Sequence, residues 1–130
     1  MTRLATELYW DTFNRGIRPD PLLTVSEWAD QYRVLSSVDS GEPGPWRTDR
    51  TPYLKEIMDC LSPSSPIERT VLMKAAQTGG SNAGLNWLGY VVHQAPGPML
   101  MVQPTVEVAK RFSKQRVTPL VAASPVLKKL

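Results

Sequence analysis

The sequence predicts an α/β protein in which an N-terminal helical segment leads into the first strands of a parallel sheet. Three observations carry that prediction. Residues 70–73 (TVLM) and 99–103 (MLMVQ) are short apolar runs with the length of buried parallel strands. Residues 81–93 repeat apolar side chains at helical spacing, with Leu85, Leu88 and Val92 on one face. A glycine-containing loop, KAAQTGGS, joins the first run to that helix. Strand, loop, helix, strand, helix is the order in which a parallel sheet with right-handed crossovers is laid down.

In chain order, Leu4, Leu8 and Phe13, flanked by Tyr9 and Trp10, predict a short amphipathic helix that ends before Gly16. RPDP at 18–21 interrupts the chain, and Thr24 or Ser26 is placed to cap a second helix through SEWADQY. Residues 36–52 hold three prolines and two glycines, which predicts an irregular connection. Pro52 suits the first turn of a helix reaching about Leu61, with Tyr53, Leu54, Ile57, Met58 and Leu61 as its apolar stripe. SPSSP at 62–66 is a turn. Gly84 and Gly89 lower the propensity of the helix over 81–93 and mark places for close approach to a sheet. After APGP at 95–98 and the second apolar run, Thr105 to about Val117 returns to helix. The expected layout is therefore a helical segment over 1–35, a connection and helix over 36–66, and a βαβα unit over 67–130.

Composition narrows the function. A chain of 130 residues, 42% hydrophobic and 21% charged, is an ordinary globular domain able to bury a core. No apolar run approaches the roughly 20 residues of a membrane span, and the start lacks the apolar stretch of a signal peptide. The single cysteine, Cys60, excludes an internal disulfide and suits a reducing compartment, and with one histidine, His93, no metal cluster is expected. The net charge of +3 is unevenly spread: residues 1–103 sum to −2, and residues 104–130 to +5. That skew predicts either contact with a polyanion or a solvated basic helix face.

The loop carries the chemistry. Laid over the phosphate-loop pattern G-x-x-x-x-G-K-[ST], Gly79 and Ser81 match, Lys74 stands where the first glycine is usual, and Gly80 stands where the lysine is usual. Phosphate binding at such loops comes mainly from backbone N–H groups at a helix start. Gly79 and Gly80 let that backbone approach a phosphate, and Ser81 can present its hydroxyl to Mg²⁺. Lysine has a long stem, so Lys74 can reach the phosphates from the front of the loop. Gln77 is placed to bond a phosphate or hold the loop's shape. The binding segment so defined is Lys74, Ala75, Ala76, Gln77, Thr78, Gly79, Gly80, Ser81 and Asn82.

Read together, TVSEWADQYRVL, GPWRTDRTPYLKEIMDCLS and the stretch from VLMKAAQTGGS to LVAASP resemble the N-terminal part of the bacteriophage-lambda-type terminase large subunit. The resemblance covers about 24–130. It implies a P-loop, helicase-like ATPase that uses ATP and Mg²⁺ to package double-stranded viral DNA in the host cytoplasm. The small terminase subunit and the portal of the procapsid are its partners. It assigns Lys74 to the displaced lysine of that family and Ser81 to its hydroxyl residue, whereas Asn82 departs from members with a second lysine there. Trp46 and Tyr53 fall in the region that holds adenine, where core packing is the alternative role, and the block Gln103 to Arg111 resembles a motif that touches nucleic-acid backbone, with Lys110, Arg111, Lys114 and Arg116 as the implied phosphate contacts. The N-terminal helix, Leu4 to Phe13, is then either a docking element for the small subunit or a segment packed on its own domain. The acidic groups that hold Mg²⁺ and orient water for hydrolysis, and the nuclease domain, come later in the family, so an incomplete domain without turnover of its own is expected. The alternatives are a helicase-like ATPase of another system and a non-catalytic DNA-binding remnant.

Overall fold

Thr24 begins the packed part of the molecule. Its hydroxyl accepts from the N–H of Glu27 at 3.3 Å while the Glu27 carboxylate accepts from the N–H of Thr24 at 2.9 Å, a reciprocal cap on helix α2 (Val25–Tyr32). The computed structural model describes residues 3–18, 21–38 and 40–130, without the side chains of residues 3–5 and 15. The Leu4 side chain, and Pro19 and Asp20 of the expected break, therefore lie outside the described residues. Ahead of α2 stands α1 (Arg3–Ile17), which runs through Gly16 instead of stopping before it. Its Leu8, Tyr9, Trp10, Phe13 and Ile17 are exposed, and the three aromatic rings pack on one another at 5.8–6.3 Å.

After α2 a two-residue antiparallel pair forms, β1 (Val34–Leu35) with β2 (Gly44–Pro45), in the register Val34 to Pro45 and Leu35 to Gly44. This pairing lies within the stretch expected to be irregular. Gly44, at φ 136°, takes a backbone conformation that side chains disfavour. A short 3₁₀ turn (Thr48–Arg50) leads to α3 (Tyr53–Cys60), for which Pro52 is the N-cap. α3 is tied to α2 by two buried or half-buried bonds: the Val25 N–H donates to Ser62 Oγ at 2.9 Å, and the Ser26 hydroxyl donates to Asp59. α4 (Gly80–His93) follows the loop, and the chain ends in α5 (Val106–Phe112), a π-helical turn (Ser113–Val117), α6 (Thr118–Ala123) and α7 (Pro125–Lys128).

The core sits where α2, α3 and α4 meet, with α6 and α7 closing one side. Trp28 and Ala29 from α2, Leu54 and Met58 from α3, and Leu85 from α4 are buried, with Leu120 and Leu127 joining from the last two helices. Tyr90 donates its hydroxyl to the Leu23 carbonyl at 3.0 Å, and burial raises the pKa of that phenol above its ordinary value. The α2–α4 contact depends on Gly89. A Cβ there would come 2.9 Å from Trp28 Cζ3 and closer still to Cη2. The expected close approach at Gly89 is thus to an indole rather than to a sheet, and Gly84 has nothing within 4 Å of its Cβ position. Gly89→Ala is expected to destabilise the chain by about 1–3 kcal/mol through overpacking, although alanine gains about 1 kcal/mol in helix propensity. A urea titration reads the sign.

Both expected parallel strands are absent among the described residues. Residues 70–73 and 99–103 form no strand ladder, and Val71, Met73, Leu100 and Val102 are 85, 98, 86 and 77% exposed. A parallel strand needs neighbours that accept and donate along both edges, and no described segment pairs with either run. The observed architecture is helical with one minimal antiparallel sheet. No helix among the described residues is long and apolar enough to cross a membrane.

Candidate functional site

The loop between residue 73 and α4 is shaped by its second half. Gly79 is the N-cap of α4 at φ 78°, and Gln77 also takes a positive φ of 58°. The left-handed turn at Gly79 is where glycine is required, because another residue would be strained there and its Cβ would come 2.9 Å from Leu54 Cδ1. Gly79→Ala is accordingly expected to cost about 1–2 kcal/mol, seen as a lower melting temperature. Two bonds brace the bend: Tyr53 donates its hydroxyl to the Thr78 carbonyl at 3.1 Å, and Thr78 donates its own to the Ala75 carbonyl at 3.1 Å. The bend thus rests on α3 through both Tyr53 and Leu54.

At the head of α4 the donors divide. The N–H groups of Asn82 and Ala83 bond the Gly79 carbonyl at 2.8 and 3.1 Å, while those of Gly80 and Ser81 have no protein acceptor among the described residues. Two unpaired donors at the positive end of a helix of 14 residues are an arrangement that favours negative charge. Lys74 reaches it. A Cβ on Gly80 would sit 2.8 Å from Lys74 Cε and closer to Cδ, so the lysine stem lies across Gly80 in the space left by its missing side chain. Lys74 forms no hydrogen bond or ion pair among the described residues.

A cavity of about 320 Å³ opens at this point, lined by Lys74, Gln77, Thr78, Gly79, Gly80, Ser81, Asn82 and Arg116. Ala75 and Ala76 are exposed beside it. Among the described residues no carboxylate is in that lining, which includes Lys74 and Arg116. Backbone donors, a lysine and a hydroxyl in one cavity are chemistry that suits a phosphate group.

The other expected site residues separate. Tyr53 stands at the loop and is 56% exposed. Trp46 belongs to the core at 5% exposure, with its indole N–H donated to Thr48 Oγ1 at 3.1 Å. Of the basic set, Lys110, Arg111 and Lys114 are exposed, whereas Arg116 is half-buried at the phosphate cavity. Placing Arg116 beside Lys74 was beyond sequence reasoning, because the π-helical turn that carries it gives no periodicity signal. His93 accepts from the Trp28 indole N–H at 3.1 Å, and no group of metal-ligating residues occurs among the described residues.

Residues 40–130 match the family described as phage terminase large subunit gpA, ATPase domain. The chain belongs to this family. No curated protein and no solved structure matches it. The matched span of the terminase ATPase family holds the loop, its cavity and the basic helix α5, while α1 and α2 precede it.

Proposed function

We propose that this chain binds the polyphosphate tail of Mg·ATP at residues 74–82, as the nucleotide-holding part of a DNA-packaging motor. The observation that carries this reading is the Lys74 stem lying across Gly80, beside the start of α4, where the Gly80 and Ser81 N–H groups are unpaired among the described residues. In this role Gly80 and Ser81 donate backbone N–H groups to phosphate oxygens, Lys74 offsets their charge, and Ser81 gives its hydroxyl to Mg²⁺. Gln77 and Asn82 supply neutral polar contacts at the rim. Tyr53, exposed and anchored to the loop, is the aromatic face for the adenine. When bound, Mg·ATP brings the phosphoanhydride that a motor hydrolyses. Because no carboxylate lines this cavity, these residues hold and orient the nucleotide rather than activate water.

The finer architecture belongs to the same proposal. Residues 70–73 and 99–103 flank α4 as apolar, unpaired chain, as expected of two edges of a P-loop parallel sheet that forms when further strands are supplied. Lys110, Arg111 and Lys114 are available to DNA phosphates, and the exposed aromatic face of α1 to the small terminase subunit. Calorimetric titration with Mg·ATP tests the central claim. Saturable binding that Lys74→Ala weakens is expected, and identical affinity in both chains removes Lys74 from the site.

A further inference from the structure

We propose that Tyr53 is a positioning residue of the loop: by holding the Thr78 carbonyl, its hydroxyl keeps Gln77 left-handed and presets the bend for a polyphosphate; this rests on the nucleotide reading of the loop. Gln77 has a φ of 58°, the one positive φ at a non-glycine position among the described residues. A side chain tolerates that conformation only where its surroundings impose it, and such residues gather at functional sites. Nothing on Gln77 itself imposes it. Its side chain is exposed and forms no hydrogen bond among the described residues. The constraint comes from Thr78, the next residue, which is half-buried and held at two points. Its hydroxyl donates to the Ala75 carbonyl at 3.1 Å, and its carbonyl accepts from the Tyr53 hydroxyl at 3.1 Å.

The two bonds differ in where they lead. The first joins residues three apart and only closes the turn. The second reaches 25 residues back to the first position of α3, where the adjacent Leu54 is buried and stands beneath Gly79. Tyr53 thus ties the strained turn to a helix of the core. It also orients a donor. In a planar trans peptide the C=O and N–H point to opposite sides, and no described peptide bond is cis. A Thr78 carbonyl turned to Tyr53 therefore turns the Gly79 N–H away from it. That N–H has no acceptor among the described residues, and Thr78 and Gly79 both line the cavity that Lys74 shares. The ring and its hydroxyl have separate parts: the face is open to a base, while the hydroxyl is committed to the loop.

The test is a double-mutant cycle on the 130-residue chain, read by titration with inorganic tripolyphosphate and with Mg·ATP. Tyr53→Phe keeps the ring and removes the hydroxyl, and it is expected to weaken both ligands by about 3- to 10-fold. Glycine takes a positive φ without help, so in a Gln77→Gly chain the same substitution is expected to cost less than about twofold. In a Gln77→Ala chain, which loses the amide but keeps the strain, the full factor should return. One factor in all three chains means that the hydroxyl does not act through Gln77, and overturns the proposal. Loss of Mg·ATP with tripolyphosphate unaffected overturns it in favour of a contact between the hydroxyl and the nucleoside. If Lys74→Ala weakens tripolyphosphate and Tyr53→Phe does not, the loop reading stands and this inference alone falls; if the unaltered chain binds neither ligand, both fall. A ligand-free measurement accompanies the titrations. A left-handed φ brings a residue's amide and α protons close, so the nuclear Overhauser effect between them at Gln77 should be strong in the unaltered chain and fade in Tyr53→Phe. A signal that is undiminished in the variant overturns the assignment.

Discussion

Trp28→Ala is expected to lower the melting temperature by about 10 °C or more, and to leave little of the cooperative transition. The indole is fully buried, with the outer edge of its six-membered ring against Gly89, so its removal opens a large hole between α2 and α4. Large aromatic truncations of this kind cost about 3–5 kcal/mol. The bond from its N–H to His93 is lost as well, and Tyr32 and His93, whose rings stand 6.2 and 6.3 Å from the indole, lose their packing partner. Against a total stability of about 5–15 kcal/mol for a native domain, that is a large share. The shift follows because a domain of this size moves by about 3–5 °C per kcal/mol. Far-UV circular dichroism on heating measures it, and a fall under about 3 °C would show that the α2–α4 contact does not hold the molecule together.

Lys74→Ala should act on binding and hardly at all on folding. Its side chain is exposed and touches only the loop, so thermal stability stays within about 0.5 kcal/mol. Removing a charge-assisted contact to a phosphate costs about 1.5–3 kcal/mol, on the order of 10- to 100-fold in affinity for Mg·ATP. The loss should shrink as salt rises, because this amine is screened by mobile ions. Ser81→Ala is the instructive companion: its effect should appear with Mg²⁺ and fade in EDTA. A Lys74→Ala chain that keeps its ATP affinity but melts earlier would recast the lysine as a packing element of the loop.

Much of this was readable from the chain itself, for identifiable reasons. α2 and α3 were legible because each combines a start signal with apolar residues at helical spacing, Thr24 before Val25 and Pro52 before Tyr53, and α4 was legible from apolar spacing alone, starting at Gly80, one residue before the expected Ser81. The ends of α1 were not, since Gly16 is tolerated in a helix that packs on little else. Residues 70–73 and 99–103 have strand composition but no strand, because composition reports what a segment prefers and a ladder needs partners. The loop was readable as far as Lys74, Gly79, Gly80 and Ser81. Leu54 beneath Gly79, Tyr53 on the Thr78 carbonyl and Arg116 across the cavity are tertiary facts, set by packing between elements that no local pattern records. The burial of Trp46 is of the same kind, as an aromatic residue in an irregular segment reads equally well as a ligand platform or a core residue.

The seating of Gly79 on Leu54 divides the loop into an anchored heel and an unanchored toe. The heel, Thr78 through Gly80, is fixed from behind by a helix whose own side chains reach the centre of the molecule, so its curvature exists before any guest arrives. The toe, from Lys74 to Gln77, lies in water with one hydroxyl bond to steady it. On the proposed reading, the entropy lost on capture would fall on a few side chains at the front, and the amides behind them would meet the anion already aligned.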